Sequence, residues 1–157
     1  LGDFRLFDTP EWIPTLDELL AQVAGRVPLV IELKHVPGRD AGFAWAVVER
    51  LKMYDGPAAL MSFDAALLGD VRAAAPNLPR GLIAEGDWRR GPEHLRTTLR
   101  LGVHFISYSI NDLPTPMPVL ARRLRGVPLI CWTVRTPAQL KTAREWTDQI
   151  TFEGFTP

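Results

Sequence analysis

Short apolar runs recur along the chain, and between them lie longer stretches in which apolar residues fall three or four positions apart. Six runs read as strands, over residues 28–34, 58–63, 80–85, 104–109, 128–134 and 149–153, each bounded by Gly, Pro or Asp. Six amphipathic stretches read as helices, over 15–25, 42–54, 64–76, 92–102, 114–126 and 137–147. Thr15 with Glu18 three residues on forms the pattern of a capping box, and Asp64 stands where it can cap the third helix. Pro76, Gly102 and Gly126 stop their helices. "GRVPLVIELK" and "RGVPLICWTV" echo one another about a hundred residues apart, as repeated strand–helix units do.

Strands separated by helical crossovers pair in parallel, which makes this an α/β fold. An open doubly wound sheet and a (β/α)8 TIM barrel both satisfy the alternation. No G-x-G-x-x-G follows a strand and no G-x-x-x-x-G-K-[ST] occurs, so the nucleotide-binding forms of the open sheet lose support. A barrel needs eight strands and typically about 250 residues. Six strands in 157 residues, with Leu rather than Met at position 1, lead us to expect one partial barrel domain over 1–157 that lacks about two strand–helix units at its front.

Within the first strand, "VPLVIELKHV", alternation puts Val30, Glu32 and Lys34 on one face and Leu29, Ile31 and Leu33 on the other. One face of an apolar strand thus carries two opposite charges. Such a charged pair on one face of an apolar strand is a candidate functional feature. As a plain structural alternative, the two simply neutralise each other at a strand end.

The remaining chemistry is sparse. Eighteen basic residues balance eighteen acidic ones, so no global field favours nucleic acid or an anionic membrane. Cys131 is the only cysteine, which excludes an intramolecular disulfide and a multi-cysteine metal site and makes burial its expected role. No apolar run reaches the roughly 20 residues of a membrane span, and no signal peptide is recognisable, so the chain reads as soluble and cytoplasmic. His35 should face away from Glu32, while His94 and His104 have no His, Cys or Asp at ligand spacing and read as structural. Ser62 and Ser107 lack a partner histidine for nucleophilic catalysis. Arg122, Arg123 and Arg125 form a basic cluster at a helix end, where positive charge suits the helix dipole. Alternation on the last strand opposes Thr151 and Glu153 to Ile150 and Phe152, which makes Glu153 a further candidate for the barrel mouth.

"WIPTLDELL" (12–20), "VPLVIELK" (27–34), "MSFDAALLGDVRAAAPNLPRGLI" (61–83) and "CWTV" (131–134), in this order, resemble the glycerophosphodiester phosphodiesterase family. The resemblance covers nearly the whole chain. It implies a (β/α)8 barrel that hydrolyses glycerophosphodiesters to glycerol 3-phosphate and an alcohol with a divalent metal such as Mg²⁺ or Ca²⁺. It also assigns roles: Glu32 to the metal, Lys34 to the substrate phosphate and Trp132 to the pocket for the glycerol or alcohol moiety. The family's His-Arg-Gly, Pro-Glu-Asn-Thr, Glu-x-Asp and His-Asp motifs are absent, so no catalytic histidine is expected within these residues. Arg135 stands where W-T-V-N is common, and "TFEGFTP" replaces the usual T-D before a closing proline. A non-catalytic, barrel-derived phosphate-binding module is the alternative.

Overall fold

A computed structural model describes residues 4–157. Every strand read from the sequence is present: β1 Leu29–Glu32, β2 Ala58–Ser62, β3 Arg80–Ala84, β4 Phe105–Ser109, β5 Leu129–Val134 and β6 Gln149–Phe152. The helices are α1 Leu16–Val23, α2 Phe43–Leu51, α3 Ala65–Ala74, α4 Gly91–Leu101, α5 Pro116–Arg125 and α6 Pro137–Trp146. Their ends follow local chemistry. Thr15 accepts from the Glu18 amide while Glu18 reaches back to the Thr15 amide at 2.7 Å, and Asp64 accepts from the amides of Ala66 and Leu67 at 2.8 Å each. Gly102 and Gly126 adopt left-handed conformations at the ends of α4 and α5, as the expected stops require.

All strand pairs are parallel and the spatial order is the sequential one, β1 to β6. That order decides between the two architectures. Right-handed crossovers that always advance the same way put every helix on one side of the sheet, whereas a doubly wound sheet reverses direction at a switch point. The core lies accordingly between helices and one sheet face. Leu33 and Leu60 pack with Leu20, Val48, Leu67 and Val71, and Leu82, Ile106 and Leu129 pack with Leu68, Leu101 and Met117. A third cluster joins Ile110, fully buried Cys131, Val134 and Ala143 under α6.

The opposite face is the inside of a curl. Gly81 on β3 and Phe105 on β4 are register partners, and a Cβ at Gly81 would sit 2.2 Å from the Phe105 ring, so the ring occupies the space glycine leaves. Among the described residues β1 and β6 each keep one unpaired edge, and the sheet is an incomplete (β/α)8 barrel with six strands. At its base Arg80, 5% exposed, donates to the carbonyls of Pro76, Leu101 and Gly102 at 2.9–3.0 Å. Its guanidinium thereby ties the C-terminal ends of α3 and α4 to β3, where helix dipoles favour positive charge. No helix among the described residues is long and apolar enough to cross a membrane.

Candidate active site

Barrel chemistry gathers where the parallel strands end at their C-terminal side, because the loops there are free of scaffold duty. Glu32 is the last residue of β1, and Lys34 lies just beyond the strand. The alternation read from the sequence holds: Leu33 is buried against the helices while Val30 faces solvent on the inside of the curl. The Lys34 ammonium donates to Glu32 Oε1 at 3.0 Å. The two side chains are 78% and 29% exposed, so the pair bears little desolvation cost and its own worth is of order 0–1 kcal/mol. Stability alone gives little reason to keep it.

Neighbouring groups hold this strand end in place. Ser62 Oγ, fully buried at the end of β2, donates to the Leu33 carbonyl at 2.7 Å and accepts from the Asp64 amide at 3.0 Å. The peptide between the two charged residues is thus pinned to β2. His35 meets the Asp40 carboxylate through Nδ1, with Asp64 Oδ2 4.0 Å away. Asp40 Oδ1 accepts from the Val36 amide at 2.9 Å, and that bond, with His35 assisting, holds the Asp40 carboxyl below its ordinary range.

Trp132 stands on the inner face of β5, half-buried, with its indole N–H donating to the Ser107 carbonyl at 3.2 Å. Its ring meets Phe63 edge to face, with centroids 5.6 Å apart. Phe63 follows β2, three strands away, a span of about 14 Å on a flat sheet. The contact therefore exists because the sheet curls. Alternation along 59, 61 and 63 puts Phe63 on the same face as Glu32, a signal the sequence carried and our reading did not use.

Glu153 lies just past β6 and is paired with Arg135 Nε at 2.8 Å, with both side chains exposed. The residue that departs from W-T-V-N is therefore the partner of the candidate on the last strand. Glu32 and Lys34 thus sit together at one edge of the curl, Trp132 with Phe63 across its middle, and Glu153 at the far edge. His94 is buried beneath the loop after β3, 3.4 Å from Tyr108 Oη, which donates to the Gly86 carbonyl at 2.8 Å. Burial lowers the His94 pKa and pushes that of Tyr108 up to about 12, which suits a neutral structural network. His104 accepts from the Arg80 amide at 3.2 Å, also in a structural role.

Among the described residues no three His, Cys, Asp or Glu side chains converge to hold a metal ion. Glu32 is a single carboxylate, engaged by Lys34, so these residues do not by themselves form a complete cation site.

Six parallel strands in sequential order with helices on one side define the class as an incomplete (β/α)8-type α/β fold, and comparison with known proteins narrows it. Residues 4–149 match the model of the glycerophosphoryl diester phosphodiesterase family, and the chain belongs to that family. A glycerophosphoryl diester phosphodiesterase structure from Silicibacter pomeroyi is similar at 27% identity and a TM-score of 0.77, over 94% of this chain and 55% of that one. A glycerophosphodiester phosphodiesterase from Parabacteroides distasonis shares the fold at 22% identity and a TM-score of 0.78, over 97% and 64%. So does an Oleispira antarctica phosphodiesterase in complex with the product sn-glycerol-3-phosphate, at 22% identity and 0.76, over 90% and 57%. The chain spans less than two thirds of each of these structures. No curated protein sequence matches it.

Proposed function

We propose that this chain is the greater part of a metal-dependent phosphodiesterase barrel that hydrolyses glycerophosphodiesters to sn-glycerol 3-phosphate and an alcohol. The carrying observation is the Glu32–Lys34 pair at the C-terminal end of β1, on the inner face of a sheet whose family is that of these enzymes. Support comes from the Oleispira antarctica relative, which holds the product sn-glycerol-3-phosphate on the same fold.

A phosphodiester is already an anion, and its hydrolysis adds negative charge at the phosphoryl oxygens. Lys34, an exposed and well-solvated ammonium, meets that charge without a large desolvation cost. When substrate arrives, Lys34 exchanges its carboxylate partner for phosphate, and Glu32 is freed. Glu32 would then contribute one oxygen to a divalent cation, Mg²⁺ or Ca²⁺, whose chemistry is to polarise a phosphoryl oxygen and whose other ligands lie outside these residues. Trp132 and Phe63 form an apolar edge for the glycerol or alcohol moiety, and the Arg135–Glu153 pair borders the far side, where it shapes the choice of leaving group. General acid and base groups are likewise supplied from outside this chain.

The test is release of sn-glycerol 3-phosphate from glycerophosphocholine by the protein expressed with all the sequence its gene encodes. Glu32→Gln should lower kcat by more than the roughly 10–100-fold that loss of an outer partner of a metal site brings. Unchanged metal-dependent activity in that variant would remove Glu32 from the site. Saturable binding of the diester with no turnover by the unmodified protein would favour the non-catalytic phosphate-binding module instead.

A further inference from the structure

The arginine cluster at the end of α5 takes no part in the site, and it borders an apolar groove on the outer surface. Between Trp88 and Gly126 stand seven arginines and no lysine, against Glu93 and Asp112 in the same stretch and Asp87 and Asp148, which pair with Arg89 and Arg122 from outside it, a surplus of three positive charges in a chain of net charge +0. Arg90 is paired with Glu93 and Arg122 with Asp148. Arg96, Arg100 and Arg125 make no ion pair among the described residues, and Arg123 lies over the Trp146 ring at 5.1 Å. Between α4 and α5 runs a groove of about 460 Å³ lined by Pro92, Leu95, Met117, Leu120 and Leu124, with Arg125 as its one charged side chain. A second hollow of about 310 Å³ shares Leu95, Ala121 and Arg125 and extends the first. Leu124 is 75% exposed and Trp88 66% exposed, and Leu95, Leu99 and Leu120 are exposed as well.

We propose that this α4–α5 face docks on an anionic phospholipid surface. Leucine and tryptophan projecting from helices with arginines beside them is the pattern of a surface that lies in the bilayer interface: the apolar tips enter at the acyl boundary and the guanidinium groups meet lipid phosphates. Three observations favour that occupant. α4 and α5 cover the middle of the sheet, packing over β3, β4 and β5, so strands added at either open edge would leave the face uncovered. A second copy presented through the same patch would bring two surpluses of positive charge together, which opposes a symmetric dimer. The groove also offers a protein partner almost no polar group to fix its register, whereas protein interfaces carry about one hydrogen bond per 100–200 Å². A fluid lipid surface requires no register.

Co-sedimentation of the protein, expressed with its complete gene-encoded sequence, with phosphatidylcholine vesicles with and without phosphatidylglycerol tests this. Binding should need phosphatidylglycerol and weaken as NaCl rises through the range where the Debye length falls below about 10 Å. The pair Arg123→Glu with Arg125→Glu, and separately Trp88→Ser with Leu124→Ser, should each lower the partition coefficient about tenfold or more. Arg26→Glu beyond α1 should change it little. All four main positions are at the surface, so circular dichroism should match the parent, and thermal melting should fall by only a few degrees where the two charges at the end of α5 are reversed. Absence of binding to phosphatidylglycerol vesicles at low salt would overturn the proposal, as would equal binding by parent and variants. Concentration-dependent dimerisation abolished by the same substitutions would assign the face to a second copy, and binding of poly-glutamate without vesicle binding would assign it to an acidic protein; either would overturn the membrane reading.

Discussion

Replacing Arg80 by methionine should be among the most destabilising single changes in the chain. The guanidinium makes three hydrogen bonds of 2.9–3.0 Å to carbonyls beyond α3 and at the end of α4, and among the described residues no carboxylate pairs with it. Burial pulls its pKa down, with Arg72 adding to the effect, so the group has given up hydration for these contacts alone. Bonds from a charged donor are worth about 1.5–3 kcal/mol each, or about 4.5–9 kcal/mol for three. Desolvation of the ion returns several kcal/mol of that. Methionine fills most of the volume but bonds to none of the three carbonyls. A net loss of about 3 kcal/mol is expected, which at a urea m-value of about 2 kcal/mol/M moves the unfolding midpoint down by about 1.5 M. The assay is urea unfolding followed by fluorescence of the five tryptophans. Arg80→Lys, which keeps the charge but not the fork, should recover less than half of the loss. A midpoint shift below about 0.3 M for methionine, or equal effects of Lys and Met, would refute the clamp.

Gly81→Ala should cost about 1–3 kcal/mol because its methyl would meet the Phe105 ring at 2.2 Å, and Phe105→Leu in the same chain should recover part of that, as a double-mutant cycle would show. Stability should fall as pH drops from about 7.5 to 5: His94 is held neutral by burial, its folded pKa lies below the ordinary 6.5, and the unfolded chain binds the extra proton. The loss begins near the unfolded pKa and saturates below the folded one, so melting temperatures of the parent and His94→Gln should converge toward acid. Asp148, whose carboxyl is held low chiefly by Arg122, contributes stability present above the ordinary carboxylate pKa and lost as pH falls through its lowered folded value; Arg122→Gln should reduce that acid-side slope. The 157 residues alone should release no sn-glycerol 3-phosphate from glycerophosphocholine, and turnover at the rate of the complete gene product would contradict the proposed division of the site.

The strands, the helices and the facing of each residue were legible because each depends on periodicity within a few neighbours. Glu32 and Lys34 show this: alternation put them on one face, and although β1 stops at Glu32, the Lys34 ammonium lies 3.0 Å from Glu32 Oε1. Caps were equally local, since Thr15 and Glu18 are three residues apart. What escaped depended on contacts made by curling. The Phe63–Trp132 contact joins residues 69 positions apart, and only a bent sheet brings β2 and β5 together. Arg80 looked like an ordinary residue opening a strand, because its three acceptors belong to loops and helix ends that no pattern within β3 encodes. Arg135 was visible as a departure from W-T-V-N, yet its pairing with Glu153 needed the register of β5 against β6, which carries a bulge between Cys131 and Val134.

The same division runs through the molecule itself. Its helix-facing side is closed by its own residues: three clusters of buried and partly buried side chains join all six strands to the helices, and Arg80 anchors the base. The inner side is closed only in the middle, where Phe105 covers Gly81 and Trp132 meets Phe63. Toward β1 and β6 it opens to solvent, with Val30 exposed at one margin and the exposed Arg135–Glu153 pair at the other. Scaffold and chemistry are therefore separable here. Changes at Arg80 or Gly81 should alter stability, whereas changes at Glu32 or Lys34, whose mutual attraction contributes at most about 1 kcal/mol, should leave folding nearly untouched. If Glu32→Gln instead proved strongly destabilising, the pair would be structural cement, and the phosphate-facing role would lose its physical basis.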